Sequence, residues 1–159
     1  GARVRIAGSA GARELPVERL HVPPSEDPGR EVALAADEII TEVVVPAPAP
    51  DTITRYRKVR ARQSWDFALS SVALALELGP GARVRAGRVV LGGVAPIPWR
   101  SRAVEGAIVG QTLAGPVIER AARAAVKDAE ALTHNAYKIP LTRALVAEQL
   151  ERLMGARWT

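Results

Sequence analysis

Residues 71–94 read SVALALELGPGARVRAGRVVLGGV, and the fold turns on this stretch. Val72, Leu74, Leu76 and Leu78 alternate with Ala73, Ala75 and Glu77. Alanine richness alone would permit a helix. The period of two argues instead for a strand with one buried face. GPGA at 79–82 makes a tight connection, and Arg83 to Val94 forms the returning strand. Residues 71–94 therefore read as an antiparallel hairpin.

Toward the N-terminus, Ile39 to Val45 is a β-branched strand ended by Pro46, with Asp37 and Glu38 in the turn before it. The PAPAPD segment at 46–51 is stiff, extended and on the surface. Residues 1–22 begin in mid-pattern: RVRIAG alternates like a strand, GSAG like a turn, and ARELPVERL like a return strand. This reads as the closing hairpin of something larger. Val4, Ile6, Leu15 and Val17 are then expected to be exposed, disordered or buried against another copy. PPSEDPGREV at 23–32 is a loop.

Toward the C-terminus comes Leu91 to Gly106, LGGVAPIPWRSRAVEG. Gly92 and Gly93 allow close backbone approach, Pro96 and Pro98 stiffen the loop, and Trp99 offers an apolar anchor with one donor. An anchored structural loop and a binding loop fit these residues equally well. Beyond Trp99 the period becomes helical. Ser101 suits an N-cap with Glu105 in the first turn, and Pro116 suits a first turn ahead of Val117, Ile118, Ala121, Ala125 and Val126. Leu141, Leu145, Val146 and Leu150 repeat the pattern, stopped by Gly155. Strands followed by helices predict an α+β fold: a small antiparallel sheet covered on one face by three C-terminal helices.

With 159 residues and 48% hydrophobic content, the chain suits one domain, or one domain plus a fragment of another. No apolar run is long enough for a membrane helix. The absence of Cys removes disulfides and Cys-ligated zinc or iron–sulfur clusters. A net charge of +5 suggests nucleic acid. However, aromatics are only 4%, too few for stacking platforms, and the 22 basic residues are spread among 17 acids. Neither nucleic acid nor membrane is expected as a partner. His21 and His134 lie in unrelated contexts, and no nucleophile elbow, zinc-protease motif or Walker loop is present. What remains is Tyr56 to Asp66, YRKVRARQSWD. One reading is a solvated charged strand with Asp66 capping a turn. The other is a cofactor edge, with Lys58 and Arg62 offsetting ligand charge and Tyr56 packing on the ligand or hydrogen-bonding to it.

Three segments, YRKVRARQSWDFALSSVALALEL at 56–78, RVVLGGVAPIPWRSRAVEG at 88–106 and HNAYKIPLTRALV at 134–146, resemble the C-terminal domain of the FAD-binding (medium) subunit of molybdenum hydroxylases. This is the xanthine dehydrogenase and carbon monoxide dehydrogenase flavoprotein family, and the Pro-Trp-Arg form looks most like its aldehyde or xanthine dehydrogenase branch. The likeness runs in order from about Ala35 to Leu153, and DEIITEVVVP resembles the entry into the domain. It implies a cytoplasmic oxidoreductase in which a molybdenum cofactor on a large subunit oxidises substrate. Electrons then reach FAD through [2Fe-2S] clusters on a small subunit. It implies further that Tyr56, Lys58, Arg62, Asp66, Gly92 and Gly93 form the cofactor-binding set, with Tyr56 and Lys58 approaching the isoalloxazine. The GGVAPIPWR loop is placed on the same side. Residues 1–34 are expected to be the trailing hairpin and linker of an N-terminal FAD-binding domain, and 35–159 the C-terminal domain. The family's glycine-rich FAD diphosphate motifs have no counterpart here. FAD is therefore not expected on this chain alone, and the isolated chain is expected to be inactive. The alternative is a non-catalytic domain serving subunit assembly.

Overall fold

The computed structural model describes residues 1–63 and 65–155. The chain divides into two compact units, Gly1–Pro48 and Ala49–Thr159. The strand at Ile39–Val44 pairs with the first hairpin and so belongs to the first unit. Residues 156–159, the end of the expected 35–159 domain, lie outside the described residues.

In the first unit, β1 (Arg3–Gly8), β2 (Gly11–Pro16) and β3 (Ile39–Val44) form an antiparallel sheet in the order β2-β1-β3. The turn between β1 and β2 closes on Gly11 at φ +114, backbone that a residue with a Cβ rarely adopts. Alternation along RVRIAG separates the two faces. On one, Arg5 sits opposite Glu14 and Glu42 and bonds both, at 3.0 and 2.7 Å. On the other, Val4 and Ile6 are buried, with Leu15 and Val17 half-buried. The expected exposure of this face is thus corrected. β1 is a central strand, and the following segment is tied back: Ala33 N–H donates to Leu20 O, and Arg13 bonds Ala33 O and Glu38. The Arg13 guanidinium and the Ala35 amide hold the Glu38 carboxyl down at about 2.

The second unit contains β4 (Thr52–Val59), β5 (Ser70–Leu78), β6 (Val84–Gly92) and β7 (Trp99–Arg100), ordered β4-β5-β6-β7, then α1 (Arg102–Ile108), α2 (Gly115–Ala124) and α3 (Lys138–Gly155). β5 and β6 pair antiparallel, the hairpin predicted from the alternation. Val72, Leu74, Leu76 and Leu78 are all buried, together with Val84, Val89 and Leu91 of β6 and Val104, Ile108, Ile118, Leu145, Leu150 and Leu153 of the helices. Each such side chain contributes about 1.5–3 kcal/mol on leaving water, so the strand reading at β5 prevails over alanine's helix propensity. The helices pack on this face of the sheet, and the α+β architecture stands as expected. Details differ. Val126, placed on the helix face from sequence, lies beyond the end of α2. Ser101 occupies the N-cap position of α1 but its side chain makes no capping bond.

Candidate functional site

Because side chains alternate, burying Val72 and Leu74 against the helices turns Ser71, Ala73 and Ala75 to the opposite face. Register then aligns rows across that face. Tyr56 lies opposite Ala73, which lies opposite Val90; Lys58 lies opposite Ser71, which lies opposite Gly92. The part of the face carried by β5 is therefore made of small side chains, with Val90 of β6 beside them. Tyr56, Ser71, Ala73, Gly92, Gly93 and Pro96 to Pro98 enclose a shallow depression of about 370 Å³. Tyr56 is exposed and Lys58 half-buried one row on.

Close contact bears on both glycines, and at Gly93 it is with backbone that cannot swing aside. A Cβ on Gly92 would stand 2.5 Å from Ser71 Oγ, and one on Gly93 would stand 2.7 Å from Ala68 O. Gly93 also sits at φ +73. Backbone at this bend thus lies directly on the start of β5, where a side chain would hold it off.

Of the residues predicted for a site, the structure brings Tyr56, Gly92 and Gly93 to one depression, with Lys58 in the adjoining row. Arg62 and Asp66 lie instead in the loop between β4 and β5. There Asp66 Oδ2 accepts the Arg62 backbone N–H at 3.3 Å, with the Arg62 guanidinium 3.9 Å away. That is the turn-capping geometry. The same loop carries Trp65 and Phe67 with 97% and 92% of their surface exposed.

The loop from Gly93 to Trp99 is held at its ends by residues to which sequence gave other roles or none. Trp99 is not a buried anchor: half of it is exposed. Arg100 and Glu105 do the fastening. Glu105 Oε1 accepts the Val89 N–H at 3.0 Å and Arg100 Nε at 2.8 Å, and Oε2 accepts Arg100 Nη2 at 3.2 Å. Glu105 lies in the first turn of α1 as expected, and its side chain points inward and ties α1 to β6 and β7. Burial pushes its carboxyl up, but the Arg100 hydrogen bond, the Val89 amide and the charges of Arg100 and Arg102 outweigh this and hold it below the ordinary range. At the other end, Lys138 Nζ donates to Gly93 O at 2.7 Å. An Arg followed five residues later by a Glu at a strand–helix junction is a detectable signal for the first fastening. Nothing local to Lys138 signals the second.

Among the described residues no group of His, Asp and Glu side chains could hold a metal ion, and no helix is long and apolar enough to cross a membrane.

The CO dehydrogenase flavoprotein C-terminal domain, as a family, matches residues 54–153, and the chain belongs to that family. Over 100 residues it is 39% identical to the aldehyde oxidoreductase FAD-binding subunit PaoB of Escherichia coli K12, covering 63% of this chain and 30% of that protein. Among solved structures it is similar to a carbon monoxide dehydrogenase from Hydrogenophaga pseudoflava, with TM-score 0.81 and 26% identity over 92% of this chain and 50% of the other. Quinoline 2-oxidoreductase from Pseudomonas putida 86 shares the fold, with TM-score 0.81 and 23% identity over 96% of this chain and 52% of the other. The chain thus spans about a third of the curated relative and about half of the solved chains.

Proposed function

We propose that this chain is the flavin-facing part of the FAD-binding subunit of a molybdenum-dependent oxidoreductase of the aldehyde, xanthine or CO dehydrogenase type. Its FAD would accept electrons from [2Fe-2S] clusters on a small subunit, which are fed by a molybdenum cofactor on a large one. Family membership and the aldehyde oxidoreductase relative support the class. Residues 1–34 are read as the trailing hairpin and linker of the N-terminal FAD-binding domain.

The observation that carries the site is the row structure of the outer sheet face. A flat aromatic ring needs a flat wall. Ala73, Ser71 and Gly92 supply one without projecting side chains, with Tyr56 at one edge and the stiff Pro96–Pro98 segment at another. These residues fit the isoalloxazine edge of FAD. They do not fit its diphosphate, which calls for a glycine-rich loop of backbone amides at a helix start. The dinucleotide arm is therefore assigned to the N-terminal domain. When bound, FAD supplies two-electron redox chemistry. This chain's residues would orient the ring and exclude water from one face, and Lys58 would set a positive charge beside it. The isolated chain catalyses nothing in this reading.

A fixed cation favours the reduced ring, which gains negative charge. At about 4 Å the interaction is about 1–4 kcal/mol between bulk-water and protein-surface screening. For a two-electron couple this corresponds to roughly 20–90 mV. Lys58→Ala in the FAD-loaded subunit is expected to lower the flavin midpoint potential by that order while changing stability little. An unchanged potential returns YRKVRARQSWD to a solvated strand. It would favour the second reading, an assembly domain, to which the exposed Trp65 and Phe67 also point.

A further inference from the structure

The HNAYKIPL segment at 134–141 enters the site as described only through the bond from Lys138 to Gly93 O. We infer that its Lys138 is a positioning residue that fixes the Gly92–Gly93 bend, and through it the wall on which the flavin ring is proposed to rest. The inference builds on the proposed flavin reading of that face.

A left-handed glycine at the end of a strand turns its carbonyl out of the ladder, and that oxygen needs another donor. Lys138 Nζ meets it at 2.7 Å, a charge-assisted bond. The position of the lysine is itself informative. Lys138 is the first residue of α3, at the positive end of an 18-residue helix. A cation there opposes the helix dipole, so helix stability does not account for it. The helix start is held in place: Lys138 N–H donates to Asn135 O at 2.9 Å, and Asn135 Oδ1 accepts the Leu132 N–H at 2.7 Å.

One turn on, and on the same face of α3, Thr142 Oγ1 meets the buried Ser70 Oγ at 2.8 Å. Ser70 begins β5, and its neighbour Ser71 pairs with Gly92. Lys138 and Thr142 thus grip two adjoining strand ends from one helix face, the end of β6 and the start of β5. A Cβ at Gly93 would stand 2.7 Å from Ala68 O, so the bend runs close to the segment that leads into β5. Releasing the lysine removes the bond that ties this bend to α3.

The test compares Lys138→Met, Lys138→Arg and Arg143→Met. Arg143 lies on the same helix and pairs with Glu119. In the chain without flavin, hydrogen exchange is read over residues 92–98. In the FAD-loaded subunit, the flavin midpoint potential, FAD release rate and melting temperature are read beside those of Lys58→Ala. Lys138→Met is expected to speed exchange at 92–98, shift the potential and release FAD about threefold to tenfold faster. Lys138→Arg should restore both flavin readouts, and Arg143→Met should leave them unchanged. Should Lys138→Met fold poorly, Lys138→Gln takes its place. Unchanged exchange and flavin readouts in Lys138→Met, with the potential shifted in Lys58→Ala, overturn the positioning role alone. An unshifted potential in both overturns the flavin reading and this inference with it. Flavin changes that merely track melting temperature, as in Arg143→Met, reduce Lys138 to a structural contact.

Discussion

Removing the Glu105 carboxylate is expected to loosen the junction of β6, β7 and α1 more than any surface charge change in the chain. Glu105→Ala strips the Val89 amide of its acceptor at 3.0 Å and Arg100 of both its bonds to the carboxylate. An unpaired buried amide costs about 1–3 kcal/mol. Breaking a fully buried ion pair costs about 3–5 kcal/mol, but the Arg100 side chain keeps 21% of its exposure and recovers water, so less than half of that applies. The two losses share one carboxylate and do not add fully. A total of about 3 kcal/mol follows, or roughly 10 °C in melting temperature for a unit of this size. Glu105→Gln keeps an acceptor for Val89 and should lose only about 1–2 kcal/mol. The assay is urea unfolding of the chain followed by far-UV circular dichroism. A loss below about 1 kcal/mol in Glu105→Ala would refute the fastening role.

Other substitutions read the same geometry. Gly93→Ala should destabilise by about 2–3 kcal/mol, since it meets both a φ of +73 and a contact of 2.7 Å to Ala68 O, and urea unfolding checks this. Trp65→Ala should change stability by less than about 0.5 kcal/mol in the same assay, because the side chain is 97% exposed. Acid should destabilise the chain through Glu105 and Glu38, whose folded-state values lie below their ordinary 4.5. Both contribute fully above the unfolded value; for Glu38 the contribution is lost as pH falls from about 4.5 through about 2. Unfolding midpoints measured down to pH 2 should therefore fall, and fall less steeply in Glu38→Gln.

The sheet and its helix-covered face were legible because β5 alternates strictly and its large residues are all on one side. Periodicity carries burial directly. The outer face was legible only by complement, since small residues at Ser71, Ala73 and Ala75 have no pattern of their own. The pairing of Ile39–Val44 with the first hairpin was not legible: a β-branched run announces a strand but not its neighbour. Val4 and Ile6 were expected to be exposed, disordered or buried against another copy because the hairpin was read as part of something larger, whereas both are buried. Tyr56, Gly92 and Gly93 line one depression, with Lys58 in the adjoining row. Arg62 and Asp66, four residues apart, satisfied one another within their loop, which spacing alone left open. Lys138 and Gly93 are far apart in sequence, and only the packing of α3 on the sheet makes them neighbours.

The central claim is that the face bearing Tyr56, Lys58, Gly92 and Gly93 lies against the flavin ring. Photolabelling the FAD-binding subunit with 8-azido-FAD, followed by peptide mapping, tests it most directly, because the reactive nitrogen sits on the ring itself. The account predicts label on peptides covering residues 56–58 or 92–98 within this chain, abolished by excess FAD. Label confined to the α1–α3 helices, or falling entirely outside these two segments, would contradict it.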